Sequence, residues 1–228
     1  MNKQIKEAKC NLKTKDIEKS IQLYLLVQKI VENRQADAFT INCRAWKEWN
    51  DVPVPCLPLT FFKEQGIPAA CSGDIDALLT MVIFKRAGGL PTFMGNPHKV
   101  EKNFALTHCV LPRNMKGLNS DLQPFYLSDY HGERASPTIG TEVPAGTEVT
   151  IARLTKNLEK ILLTSGTVKD SRDINSKCRN TLLIKNVNCE RLLKAVKGIQ
   201  SHYVISCRAN AENVAEIAEK NNIRVSYL

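Results

Sequence analysis

The chain has 228 residues, 43% of them apolar, eight cysteines and a formal net charge of +9 at pH 7. That is enough apolar material for one large domain or two small ones with a packed core, so the chain should fold. No uninterrupted apolar stretch approaches membrane-spanning length, and the start, Met1-Asn-Lys-Gln-Ile-Lys6, is charged, so a soluble, unexported chain is expected.

The cysteines (10, 43, 56, 71, 109, 178, 189, 207) stand singly, without a C-x-x-C pair or metal-finger spacing. Most sit in apolar runs, which fits reduced, buried thiols in a cytoplasmic protein better than a disulfide framework. Lysines 3, 6, 9, 13, 15 and 19 form the dense basic run. No aromatic residue is interleaved there before Tyr24, so a solvated face explains the run better than nucleic-acid binding.

In chain order, Asp16 is placed to cap a helix with Ile17, Ile21, Tyr24, Leu25, Val27 and Val31 on one face, ending at Glu32-Asn33. Ala36 to Cys43 has period two and reads as a strand. A polar loop follows, holding Trp46 and Trp49, whose simplest role is to cover a core edge. Pro58 sits in the first turn of a short helix ending at Gly66. The stretch from Pro68 to Pro97 then reads as strand, helix, strand. An apolar run stops at Ser72-Gly73-Asp74, apolar residues recur at 75, 78, 79, 82 and 83, Gly88-Gly89 stop the helix, and a second run from Leu90 ends at Gly95-Asn96-Pro97. Such a β-α-β unit predicts a small parallel sheet, with the residues just after its strands converging at one rim.

Past Pro97 the pattern changes. Phe104 to Leu111, Gln123 to Ser128, Glu148 to Leu154, Lys160 to Thr164 and Thr181 to Ile184 are strand candidates without helices between them. They predict an antiparallel sheet or barrel. Helices at Glu190 to Val196 and from Asn210 to Lys220, and strands at His202 to Cys207 and Ile223 to Tyr227, complete the chain. The expected fold class is therefore α/β plus β: a partial parallel α/β domain over residues 1–99, then an antiparallel β-barrel-like domain over 100–228 with terminal α/β elements.

The run Ala70-Cys71-Ser72-Gly73-Asp74 with Ala77 to Met81, then Phe93-Met94-Gly95-Asn96-Pro97, Leu106-Thr107-His108-Cys109, Gly146 to Arg153 and Ser201 to Ser206 resembles the L-fucose/L-arabinose isomerase superfamily, in order and spacing, over residues 36 to 228. The resemblance implies a cytoplasmic, homo-oligomeric aldose-ketose isomerase with Mn2+, two α/β domains and a C-terminal region that includes a barrel. It also implies that the chain is the C-terminal part of a longer architecture, since the family's first α/β domain has no counterpart before residue 36. Moving a proton between adjacent sugar carbons passes through an enediol, which a divalent cation stabilises while carboxylates carry the proton.

Carried over position by position, His108 and His202 match the family's metal-site histidines and Asp74 matches an acid of its motif. The two carboxylate positions fall on Ser72 and Asn96, neither of which carries the charge a cation needs. The expected site is thus His108 and His202 as metal ligands, Asp74 as the proton-handling acid, and Ser72, Asn96 and the loop residue His131 against the sugar. Read without the resemblance, Asp74 is a helix cap and both histidines are core residues. Two functions follow: a sugar isomerase, or a non-catalytic relative that binds a sugar or a partner chain.

Overall fold

The computed structural model describes residues 12–46, 49, 51–172, 178–197 and 202–228. The basic run up to Lys9, and Cys10, lie outside the described residues. Helix α1 (Thr14–Asn33) opens with Asp16 in its first turn accepting from the Lys13 backbone N–H at 2.8 Å, so Asp16 is a first-turn partner rather than the cap itself. Its buried stripe is Ser20, Leu23, Val27 and Val31, whereas Ile21, Leu25, Leu26 and Ile30 are exposed. The face expected to be buried is therefore rotated: Ile21 and Leu25 point outward, and Ser20 takes a core position.

Strand β1 (Phe39–Ile41) is followed by a 3-10 turn, Cys43–Trp46, and by helix α2 (Cys56–Glu64). Trp46 packs on the core edge, while Trp49 is 56% exposed and stacks on Trp46 with ring centroids 6.3 Å apart. Strand β2 (Ala69–Cys71) pairs parallel with β1, giving the small parallel sheet. Helix α3 (Ile75–Arg86) starts where expected because the Asp74 carboxylate accepts from the Ala77 N–H at 2.9 Å. It stops at Gly88, whose φ of +72° suits glycine, with Gly89 N–H returning to the Phe84 carbonyl at 2.7 Å.

The strand after α3 departs from the β-α-β expectation. β3 (Thr92–Val100) does not pair with β2; it runs antiparallel to β4 (Asn103–His108) on one side and to β10 (Tyr203–Ser206) on the other. β7 (Glu148–Leu154), β8 (Lys160–Arg172) and β9 (Asn180–Lys185) complete the circuit. In the order β8-β7-β10-β3-β4-β9 each neighbour is antiparallel, and the β8–β9 pairing closes a six-stranded barrel. The barrel thus takes in residues from Thr92 onward. Outside it, β11 (Arg224–Tyr227) lies parallel to β8, and β5 (Phe125–Tyr130) with β6 (Arg134–Thr141) forms a separate hairpin. Helix α4 (Cys189–Ala195) is capped by Asn188 and α5 (Ala211–Lys220) by Asn210.

Strand alternation sorts the core into two parts. Phe93, Phe104, Leu106, Ile151, Leu182, Tyr203 and Ile205 belong to one cluster, the barrel filling. Met94, Ala152, Leu163 and Val204 take the opposite strand face and pack with Ala77, Met81 and Phe84 of α3 and with Val214 and Ala218 of α5. This second layer fixes α3 against β7 and β10, and so places the α3 N-terminus against the ends of those strands. Among the described residues no helix is long and apolar enough to cross a membrane.

Candidate functional site at the barrel end

Three elements meet at one carboxylate. Asp74 precedes α3, Arg153 is the penultimate residue of β7, and His202 comes just before β10. Arg153 Nη1 lies 2.9 and 2.8 Å from the two Asp74 oxygens and 3.1 Å from the His202 carbonyl, while Nη2 reaches Asp76 at 3.3 Å. His202 Nδ1 is 2.8 Å from Asp74 Oδ2. Asp74, Arg153 and His202 are each at most 3% exposed. Burial pushes the Asp74 pKa up, but the hydrogen bonds from His202, Arg153 and the Ala77 N–H outweigh it and hold the carboxyl below its ordinary range. An ionised carboxylate only accepts, so the His202 Nδ1 donates this hydrogen bond and Nε2 is the ring nitrogen left for other partners.

His108, the last residue of β4, meets His202 edge-on, with ring centroids 5.3 Å apart. Its Nδ1 is buried with no hydrogen-bond partner among the described residues. Burial, then the nearby charges of His202, Lys63, His131 and Arg44, push its pKa well down, so it is neutral at neutral pH. Among the described residues no hydrogen bond joins the other expected residues to this group. Ser72 sits in a left-handed conformation, φ +61°, with its hydroxyl 3.8 Å from Cys71 Sγ and 3.9 Å from Cys43 Sγ. Asn96 is exposed on β3 and its amide donates to the Thr107 carbonyl at 3.4 Å. His131 lies in the β5–β6 turn, against Cys178.

A Mn2+ ion prefers carboxylate, carbonyl and water oxygens. Here Asp74 and Asp76 are engaged by Arg153, the Asn96 amide is turned to Thr107, and Ser72 faces sulfur. Of the expected residues this leaves the imidazoles of His108 and His202, and two imidazoles without a free carboxylate do not fit Mn2+.

Several residues of the region were not singled out from sequence. Arg153 shares its strand parity with Val149 and Ile151, and a cation on an otherwise inward apolar face was a usable signal. Lys63 of α2 is 2% exposed, donates to the Val110 carbonyl at 3.3 Å, and is pushed by burial from an ordinary lysine's 10.5 to about 7. Cys43 and Cys71 Sγ atoms lie 3.1 Å apart, and this sulfur–sulfur hydrogen bond pulls the Cys43 pKa down and pushes that of Cys71 up. Cys56, Cys109 and Cys178 had no local spacing to mark them. A surface hollow of about 340 Å3, lined by Glu148, Thr150, Gly166, Cys207 and Arg208 among others, opens at the end of β7 opposite Arg153 and is unconnected with these groups.

No family model matches the chain. Over 105 residues, 43% of this chain, it is 29% identical to a sulfoquinovose isomerase of Priestia aryabhattai, and it matches a sulfoquinovose isomerase of Priestia megaterium to the same extent. The match spans 23% of either relative's length. The chain is therefore a distant and partial relative of a sugar isomerase.

Proposed function

We propose that this end of the barrel binds a sugar and that His202, held by Asp74, moves a proton between adjacent carbons in an aldose-ketose interconversion. The observation that carries this reading is the 2.8 Å contact between Asp74 Oδ2 and His202 Nδ1, with the His108 ring beside it. An imidazole whose Nδ1–H is fixed on a carboxylate is a general base at Nε2, and the carboxylate stabilises the imidazolium once the proton has been taken. The same imidazolium returns that proton to the neighbouring carbon, while the hydroxyl proton passes from the C2 oxygen to the C1 oxygen of the enediol, so the atoms balance without an external acid. His108, neutral and buried, is the adjacent polar group available to a sugar hydroxyl. The distant similarity to a sugar isomerase supports the substrate class; the small share of the relatives that is matched leaves further parts of the pocket to residues beyond this region.

A second reading is a sugar-binding relative without chemistry. It is favoured by the two-pronged grip of Arg153 on Asp74, which makes the same cluster a clasp between α3, β7 and β10.

The two separate by proton exchange. The protein is incubated in D2O containing EDTA with L-fucose, L-arabinose, D-glucose or sulfoquinovose, and deuterium at C2 is followed by NMR. The first reading expects EDTA-resistant exchange with at least one sugar, falling by about 10²–10⁴-fold in His202→Gln. Saturable binding without exchange supports the second reading, and neither binding nor exchange rejects both.

A further inference from the structure

The fold gathers several of the sequence's single cysteines. Cys109 follows β4, His131 sits in the β5–β6 turn, and Cys178 precedes β9. Their ligand atoms nevertheless all lie within 4.8 Å of one another, with Cys178 Sγ 3.3 Å from His131 Nε2. Among the described residues this is the one group of three or more potential ligands that converges so closely. Cys56, at the start of α2, lies next to this group, close enough for its thiol and that of Cys109 to influence each other's ionisation.

The surroundings hold these residues in place. His131 adopts φ +58° at the turn, which sets its ring over Tyr130 with centroids 3.7 Å apart. Asp129 ties the turn to the β9 entry: its Oδ1 accepts from the Gly132 N–H at 3.0 Å and from the Arg179 guanidinium, directly after Cys178. Asn180 fastens the same entry to β6, accepting from the Thr141 N–H at 3.1 Å and donating to the Ile139 carbonyl at 2.8 Å. The sequence neighbours of two of the three ligands are thus bonded to each other.

From this convergence we propose that Cys109, His131 and Cys178 form a site for a thiophilic cation of the Zn2+ class, with Cys56 or a water as the fourth ligand. Zinc binds sulfur at about 2.3 Å and imidazole nitrogen at about 2.0–2.1 Å, which sets tetrahedral ligand atoms roughly 3.3–3.8 Å apart. The observed spacing reaches that range with small side-chain movements. Two thiolates and an imidazole select zinc over the oxygen-seeking Mn2+. The bound ion would tie β4, the β5–β6 hairpin and β9 together, independently of any sugar chemistry at His202.

The test is titration of the reduced, metal-free protein with Co2+ and with Zn2+ against a chromophoric chelator. One equivalent is expected, with a thiolate-to-cobalt charge-transfer absorption, and at least tenfold weaker binding in Cys178→Ser and in His131→Ala. His202→Gln and Cys189→Ser should bind as the parent does. If the variants lose their native circular dichroism, the parent protein decides: one equivalent of Zn2+ should protect Cys109 and Cys178, and not Cys207, from alkylation mapped by mass spectrometry. Absence of the charge-transfer absorption, retained tight binding in the folded variants, or unprotected Cys109 and Cys178 would overturn the proposal.

Discussion

Asp74 Oδ2 and His202 Nδ1 are 2.8 Å apart although 128 residues separate them in the chain. The same carboxylate receives Arg153 and the Ala77 N–H, so one side chain caps a helix, neutralises a buried guanidinium and orients an imidazole. Asp74→Asn replaces the nearer counter-charge of Arg153 by a neutral amide while Asp76 stays at 3.3 Å, which costs up to about 3–5 kcal/mol, the loss typical of a broken buried pair. The pH dependence has a definite sign. The Asp74 pKa is lowered in the folded state, so its contribution is complete above the unfolded value of about 3.9 and is lost as pH falls through the folded one. Urea denaturation should show a large gap between parent and Asp74→Asn at pH 7 that shrinks steadily below pH 4; a gap independent of pH would contradict this.

Lys63 is expected to destabilise the fold at neutral pH. Burial lowers its pKa from 10.5 to about 7, so the unfolded chain binds a proton that the folded chain releases across that interval. The penalty is complete below about pH 7 and disappears as pH rises towards 10.5. Lys63→Met should therefore raise stability at pH 7 by a few kcal/mol, since each tenfold loss of proton affinity on folding is worth about 1.4 kcal/mol. Because thiol ionisation acts on both proteins alike, the informative quantity is the difference between their urea midpoints, which should narrow from pH 7 to pH 9.5. A difference that widens, or has the opposite sign, would refute the assignment.

Local signals were readable where local chemistry decides the outcome. Asp74 before an apolar helical stripe capped α3 as expected, Asn210 capped α5, and the alternation from Glu148 to Leu154 gave β7 to the residue. Pairing partners were less accessible. The apolar run after α3 looked like the second strand of a β-α-β unit, yet β3 is held by β10, more than 100 residues later, and by β4. Strand β6 was missed because Pro137 and Gly140 read as turn punctuation; the hairpin accommodates Pro137 next to the irregularity at Asp129 and Tyr130. For the candidate site, Asp74, His108 and His202 were singled out in the sequence and the fold brings them together, but Arg153 and the gathering of Cys109, His131 and Cys178 depend on which strand ends the barrel brings together.

Gly140 is required by an aromatic neighbour. It stands opposite Tyr126 in the β5–β6 hairpin, and a Cβ there would lie 2.2 Å from Tyr126 Cζ. Gly140→Ala must swing the ring off the strand, at a cost of about 1–3 kcal/mol typical of overpacking. Hydrogen exchange should quicken at the Leu127 and Ile139 amides while barrel amides such as Ile151 keep their protection. Unchanged protection at Leu127 and Ile139 would show that the ring is not fixed over the glycine.

Arg113 joins α2 to the loop before the hairpin through a forked pair. Its Nε and Nη2 reach the two Glu64 oxygens at 2.8 and 2.7 Å, its backbone N–H adds a third bond at 3.0 Å, and its guanidinium lies 4.6 Å from the Phe125 ring centroid. Both side chains are only 10–13% exposed, so the pair is screened less than a surface one. Glu64→Gln leaves a mostly buried cation without its counter-charge, and Arg113→Met leaves a carboxylate on a single backbone donor. Each single change should cost about 1–3 kcal/mol. The double variant should lose less than the sum of the two, because the second change removes the group that the first left unpaired. A double-mutant cycle by urea denaturation measures that coupling directly, and strict additivity would mean that the fork contributes no more than its separate halves.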